Sequence, residues 1–336
     1  MKLRILAALI AFATACGVTA ATAQTLKLGT LAPKGSPWFD ILQDMTAEWS
    51  AASGGGIKAR IYPGGSIGDE NDMIRKMRIG QLQGAVLTSE GLGRIVPEIR
   101  VLQLPMWYRS DEELDYVRAG LNADIEALFE QRGFKVLNWG DIGWVRLFTT
   151  SPAPSPASLQ SLKLFCWAGD PRFCDAWTQQ GYISVPLAFT DIFSGLQSGM
   201  IDALFTAPVP ALSYQWFGIA DQMTDVKMIK MIGATIVTMK VWNKIPADVR
   251  ARVLTAAAEA GSLSEARIRG FEEQSIKVMQ EYGLTVHPLS PALQEAWEIR
   301  SRDSYPALVD GIVPPDLFAK ARRLREDYRS RRAGIN

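Results

Sequence analysis

Gly64-Gly65-Ser66-Ile67-Gly68 sets a serine in the G-x-S-x-G frame of a nucleophile elbow, between a strand-like and a helix-like segment. His287, the only histidine, follows in the order a hydrolase triad uses. Two features argue against a serine hydrolase. An elbow serine follows several strands, and there is room for only two before Ser66. Pro63 also interrupts the strand that would present it. The favoured reading is a glycine turn leading into a helix, with His287-Pro288 at a strand end. Asp69, Glu70 and Asp72 raise the idea of a cation site, but they occupy the first turn of a helix, where acids complement the macrodipole. Cys166 and Cys174 have no histidine nearby, and there is no G-x-G-x-x-G or Walker loop. No cofactor and no metal is expected.

Aromatic and amide side chains stand out instead. Trp38 follows the first predicted strand, and Trp139 and Trp144 flank Asp141 and Gly143. Phe165, Trp167 and Asp170 end another strand, and Phe189, Tyr214, Gln215 and Trp216 follow later ones. Aromatic walls with a few polar groups suit a small-ligand pocket.

These residues need a scaffold, and the chain supplies strands alternating with helices, the signature of a parallel sheet. Thr25–Leu31, Ile57–Ile61 and Gly84–Leu87 read as strands. Ser36-Pro37 caps one intervening helix, and Asp69–Gly80 forms the next. The plan recurs over about 160–208, with strands at Leu162–Trp167, Ser184–Leu187 and Ile201–Phe205, and helices opening at Asp170-Pro171 and Asp191. Met73, Met77, Gly80, Ala85 and Leu87 share one sequence offset with Ile192, Leu196, Gly199, Leu204 and Thr206. Two lobes of like construction are expected, with a cleft at the carboxyl ends of their strands. The loops Thr88-Ser89-Glu90 and Thr206-Ala207-Pro208 would face that cleft. Ser151–Ser158, with three prolines, reads as a crossing segment. Pro246 opens a helical pattern reaching about Tyr282, long enough to span both lobes. The expected division is residues 24–150 plus about 233–260 for lobe I, and 151–232 plus about 261–336 for lobe II, with the helix shared. The arginines of the last helix, Pro315–Arg332, read as a solvated face.

Residues 1–23 read as a signal peptide. Lys2 and Arg4 precede an apolar run too short for a span of about 20 residues, and Ala21-Thr22-Ala23 suits cleavage after Ala23. The remaining chain would be periplasmic. Its near-neutral balance, from 36 Lys+Arg and 35 Asp+Glu overall, offers no general attraction for nucleic acid. An oxidising compartment permits a Cys166–Cys174 bridge; two buried thiols are the alternative.

The sequence resembles the substrate-binding subunits of TRAP (tripartite ATP-independent periplasmic) transporters, of the dicarboxylate-binding type. The markers span the mature chain. They are Tyr62-Pro-Gly-Gly-Ser-Ile-Gly68, Pro97-Glu-Ile99 with Leu104-Pro105, the run Trp139–Thr149, Ser158–Lys163, Val185-Pro-Leu187 and Gly195–Asp202. The resemblance implies an α/β fold of two lobes, a long helix across both, and capture of a small organic acid for the small and large subunits of a membrane permease. Presentation of the ligand to a membrane kinase is the rival role. Most of the family carries an arginine two positions after the lysine equivalent to Lys163; Phe165 stands there, so that carboxylate clamp is absent. Trp167-Ala-Gly-Asp-Pro171 resembles a subgroup loop. Arg146 either replaces the missing charge or sits in a salt bridge. The expected ligand is a monocarboxylate with an apolar or aromatic body, stacked on Trp167 or Trp38. Trp38, Ser89, Glu90, Arg146, Phe165, Trp167, Asp170, Thr206, Gln215 and Trp216 form the expected site.

Overall fold

The computed structural model describes residues 24–334, so the signal segment 1–23 lies outside the described residues. Two sheets form. The strands are β1 (Gln24–Thr30), β2 (Ile57–Tyr62), β3 (Gly84–Thr88), β4 (Phe134–Trp144), β5 (Arg146–Thr149), β6 (Lys163–Trp167), β7 (Ile183–Leu187), β8 (Ala203–Thr206), β9 (Gln222–Thr224), β10 (Lys230–Thr238) and β11 (Thr285–His287). The first sheet has the order β2-β1-β3-β10-β4, the second β11-β9-β5-β8-β6-β7. In the first, β1 pairs in parallel with β2 and β3, and β10 lies antiparallel between β3 and β4. In the second, β6 pairs in parallel with β7 and β8, and β5 lies antiparallel between β8 and β9.

The helices form where local chemistry allows. Ser36 accepts a hydrogen bond from the Phe39 amide, Pro37 follows it, and the helix Pro37–Ala52 buries Ile41, Leu42, Met45 and Trp49. Gly80 and Gly199 close the corresponding helices Glu70–Arg78 and Ile192–Gln197 with φ of +77° and +69°, values that glycine adopts without steric cost.

The chain crosses between sheets earlier than the prolines indicate. β4 ends at Trp144 and β5 begins at Arg146, so the buried Val145 alone makes the crossing. Ser155 instead caps the short helix Pro156–Leu159 with a capping box. The chain returns between β9 and β10. The two crossings are tied together: the Val145 amide donates to the Ile229 carbonyl at 2.8 Å, and the Met228 amide to the Val145 carbonyl at 3.0 Å.

The third link is the helix Ala247–Glu281, 35 residues without a break, or about 52 Å at 1.5 Å per residue. Small residues bring it close to the first sheet. A Cβ at Gly261 would sit 2.6 Å from the Trp139 carbonyl oxygen. Val253, Ala257 and Ala260 join the apolar cluster of Trp49, while Met279 joins that of Phe148 and Trp216. The helix therefore contributes to both cores.

The last helix, Pro315–Ala333, exposes Arg322, Arg323, Arg331 and Arg332 and turns two other arginines inward. Arg329 pairs with Glu113 at 2.5 Å, and the Arg325 guanidinium lies 4.1 Å from the Trp107 ring centroid. Cys166 and Cys174 form a disulfide with Cα atoms 5.5 Å apart, a separation that strand end and helix start can meet.

Candidate functional site

A cavity of about 200 Å³ lies between the two sheets. Its first wall comes from the ends of β1 and β3 and the segments after them; its second comes from the ends of β6 and β8 and the turns that follow. Of the residues named from sequence, Trp38, Glu90, Phe165, Trp167, Asp170, Thr206 and Trp216 line it. Ser89, Arg146 and Gln215 do not line it. Ser89 is fully buried. Gln215 takes a left-handed conformation, with φ of +57°, and is exposed.

Arg146 belongs to the salt bridge that was its other reading. Its Nε lies 2.6 Å from Asp225 and its Nη2 3.1 Å from Glu272 of the long helix. Nη1 donates to the Trp144 carbonyl at 2.9 Å. Glu272 also accepts from the Trp144 amide at 3.0 Å. The arginine is 4% exposed and neutralises the crossing rather than the cavity.

The second wall is aromatic. Tyr214 and Trp216 stack with centroids 4.9 Å apart, and Phe189 meets both edge-on. Trp177 stacks on Phe205 at 5.3 Å. Phe165, where the resemblance predicts an arginine, adds to this apolar surface. The disulfide encloses the loop carrying Trp167 and Asp170.

The first wall is acidic. Glu70 opens its helix in the first turn, as expected, and is buried there. It accepts from the Thr88 amide at 2.6 Å and the Thr88 hydroxyl at 2.9 Å. Gly91 makes this approach possible, since a Cβ there would lie 2.5 Å from Glu70 Oε2. Burial pushes the Glu70 carboxyl up to about 8; the Thr88 hydrogen bonds oppose this, and Asp69 and Glu90 add repulsion. Burial also raises Glu90, against the pull of Arg100 and Gln103. Asp141 turns its carbonyl to Trp38 Nε1 at 2.9 Å, and its carboxylate to Arg269 at 2.9 Å and Lys230 at 3.3 Å.

Three contacts close the walls together. Trp167 Nε1 donates to Asp69, the Tyr214 hydroxyl donates to the Leu31 carbonyl, and Arg100 pairs with Asp170. Ser66 and His287 stay in separate lobes. Ser66 lies in the turn after β2, while His287 in β11 pairs through Nε2 with Gln222 at 2.8 Å. Among the described residues, no cluster of His, Cys, Asp or Glu suits a metal ion, and no helix is long and apolar enough to cross a membrane.

A mixed α/β molecule with two sheets, an enclosed cleft and a shared long helix defines the class of two-lobed binding proteins. The profile of the bacterial extracellular solute-binding proteins, family 7, matches residues 28–310, and the chain belongs to this family of TRAP substrate-binding subunits. A solute-binding protein of Roseobacter denitrificans is 26% identical over 318 residues, 94% of this chain and 96% of that one. A TRAP periplasmic solute-binding protein from the same organism, solved with L-galactonate, superposes with a TM-score of 0.81 at 24% identity, covering 89% of this chain and 98% of that one. Another from Ralstonia eutropha, solved with (S)-2-acetolactate, gives a TM-score of 0.84 at 21% identity, with 90% and 99% covered. The family and these relatives are ligand-binding transport proteins.

Proposed function

We propose that this chain is the periplasmic receptor of a TRAP transporter, exported by residues 1–23, that captures a small organic acid with an apolar or aromatic body. It acts by binding alone and performs no catalysis. It delivers the solute to the small and large membrane subunits of a permease. The observation that carries this reading is the aromatic-walled cavity shared between two lobes. A ligand there touches both walls at once, so its affinity is greatest for the closed form and shifts the population toward it. The closed form then docks on the permease. Relatives solved with galactonate and acetolactate support an organic acid as the solute.

A thermal-shift screen of residues 24–336 against mono- and dicarboxylic acids tests the reading. A ligand at 100 times its dissociation constant raises stability by about 2.7 kcal/mol. Stabilisation by a small organic acid supports the receptor role. Failure of the whole panel to stabilise the protein would overturn it.

A further inference from the structure

Among the described residues, no Lys, Arg or His lines the cavity, yet Glu70, Glu90, Asp141 and Asp170 do. Three of the four acids already have partners. Glu70 is held by Thr88, Asp141 by Lys230 and Arg269, and Asp170 by Arg100. Of the basic groups around the site, Arg100 pairs with Asp170 and pulls on Glu90 from beyond ion-pair distance, Arg146 pairs with Asp225 and Glu272, and Arg172 is exposed outside the cavity. Glu90 differs. Among the described residues its carboxylate accepts a single, long hydrogen bond, 3.5 Å from Gln103 Nε2. Its side chain is half-buried and borders the cavity directly.

A carboxylate partly withdrawn from water with no ion-pair partner in direct contact is costly, and a cation placed against it recovers that cost. The aromatic wall opposite suits the same kind of ligand, since ring faces attract an ammonium and pack against an apolar body. A dicarboxylate would bring two negative charges against a lining that, among the described residues, holds acids and no Lys, Arg or His. A zwitterion brings no net charge.

We infer that the solute is an amino acid with an apolar or aromatic side chain, its ammonium group bound by Glu90 and its side chain packed on Phe165, Trp167 and Trp38. This deepens the receptor reading and rests on it: Glu90 selects the nitrogen, and the aromatic wall selects the body. Burial raises the affinity of Glu90 for a proton, and an ammonium beside it would restore the ionised form.

Two matched series test the inference by titration calorimetry. One comprises phenylalanine, 2-phenylethylamine and 3-phenylpropanoate. The other comprises leucine, 3-methylbutylamine and 4-methylpentanoate. Each keeps one body and changes its charged ends. The amino acid is expected to bind at least about tenfold tighter than the matching acid, a difference typical of a charge-assisted hydrogen bond. The amine is expected to bind tighter than the acid as well. Glu90→Gln keeps the shape, and is expected to remove the preference while leaving the unliganded melting temperature near that of the wild type. The wild-type ranking decides the question even if that variant folds poorly. A matching acid that binds as tightly as its amino acid, or a preference that survives Glu90→Gln, would overturn the inference. So would the absence of binding in both series. In each case a hit in the wider acid panel would leave the receptor reading standing.

Discussion

The two lobes share one plan and present opposite chemistry. Each places three parallel strands beside an antiparallel strand that the chain contributes from across the crossing: β10 in the first sheet, β5 in the second. At the shared sequence offset, Glu70 corresponds to Phe189 and Glu90 to Val209. One lobe therefore carries acids where the other carries apolar groups. Like backbones do not require like walls, and ligand chemistry is set by a few side chains after each strand. The acidic wall fixes polarity and the aromatic wall fixes shape.

The largest effect should come from the group that serves both lobes. Arg146→Ala would leave Glu272 buried without its partner and should lower stability by about 3–5 kcal/mol. Chemical denaturation would measure it, and the affinity of the remaining folded protein for its solute should change little. A large loss of affinity at unchanged stability would instead make Arg146 a ligand group.

Next comes the staple of the aromatic wall. Replacing Cys166 and Cys174 together by serine frees the loop of Trp167 and Asp170, and should cost about 2–3 kcal/mol from the short loop it closes. Solute affinity should fall as well, because the loop is part of the wall. Equal melting temperatures with and without reductant would contradict this.

The acidic wall should show itself as a pH dependence. The Glu70 carboxyl stands at about 8 when folded, against 4.5 as its ordinary value. The folded chain thus keeps a proton that the unfolded chain releases between these values. This contribution to stability is complete below about 4.5 and is lost as pH rises through about 8. Glu70→Gln should flatten the decline of melting temperature across that window. An unchanged profile would assign the decline elsewhere.

The smallest effect concerns the contact between walls. Asp69→Asn weakens the acceptor for Trp167 Nε1 and should cost about 1 kcal/mol of closure. Small-angle scattering of the unliganded protein should then show a larger radius of gyration.

Much of the fold was legible because its punctuation is local. Ser36-Pro37, Gly80, Gly199 and Pro246 mark helix ends by backbone chemistry that needs no tertiary context. The crossing was not legible. Val145 is an apolar residue inside an extended run, and nothing in its type separates a strand that changes sheets from one that continues. The prolines of 151–158 marked a surface turn and a helix start instead. The aromatic wall was largely visible, since rings clustered after strand ends. The acidic wall was half hidden: Glu90 stood in a predicted cleft loop, but Glu70 looked like any first-turn acid. Only Gly91, small enough to admit its carboxylate, distinguished it, and that closeness exists only in three dimensions.

The paired crossings at Val145 and Ile229 limit how the halves can move. Two amide hydrogen bonds clip these segments into a narrow ribbon. Sliding one half past the other would tear that ribbon, whereas twisting it strains each bond only slightly. With the helix Ala247–Glu281 also packed into both cores, the molecule is built like a book on a short spine, and hinging about that spine is the motion that disturbs these links least. Distances between spin labels on the two halves should then trace a single arc as solute is added.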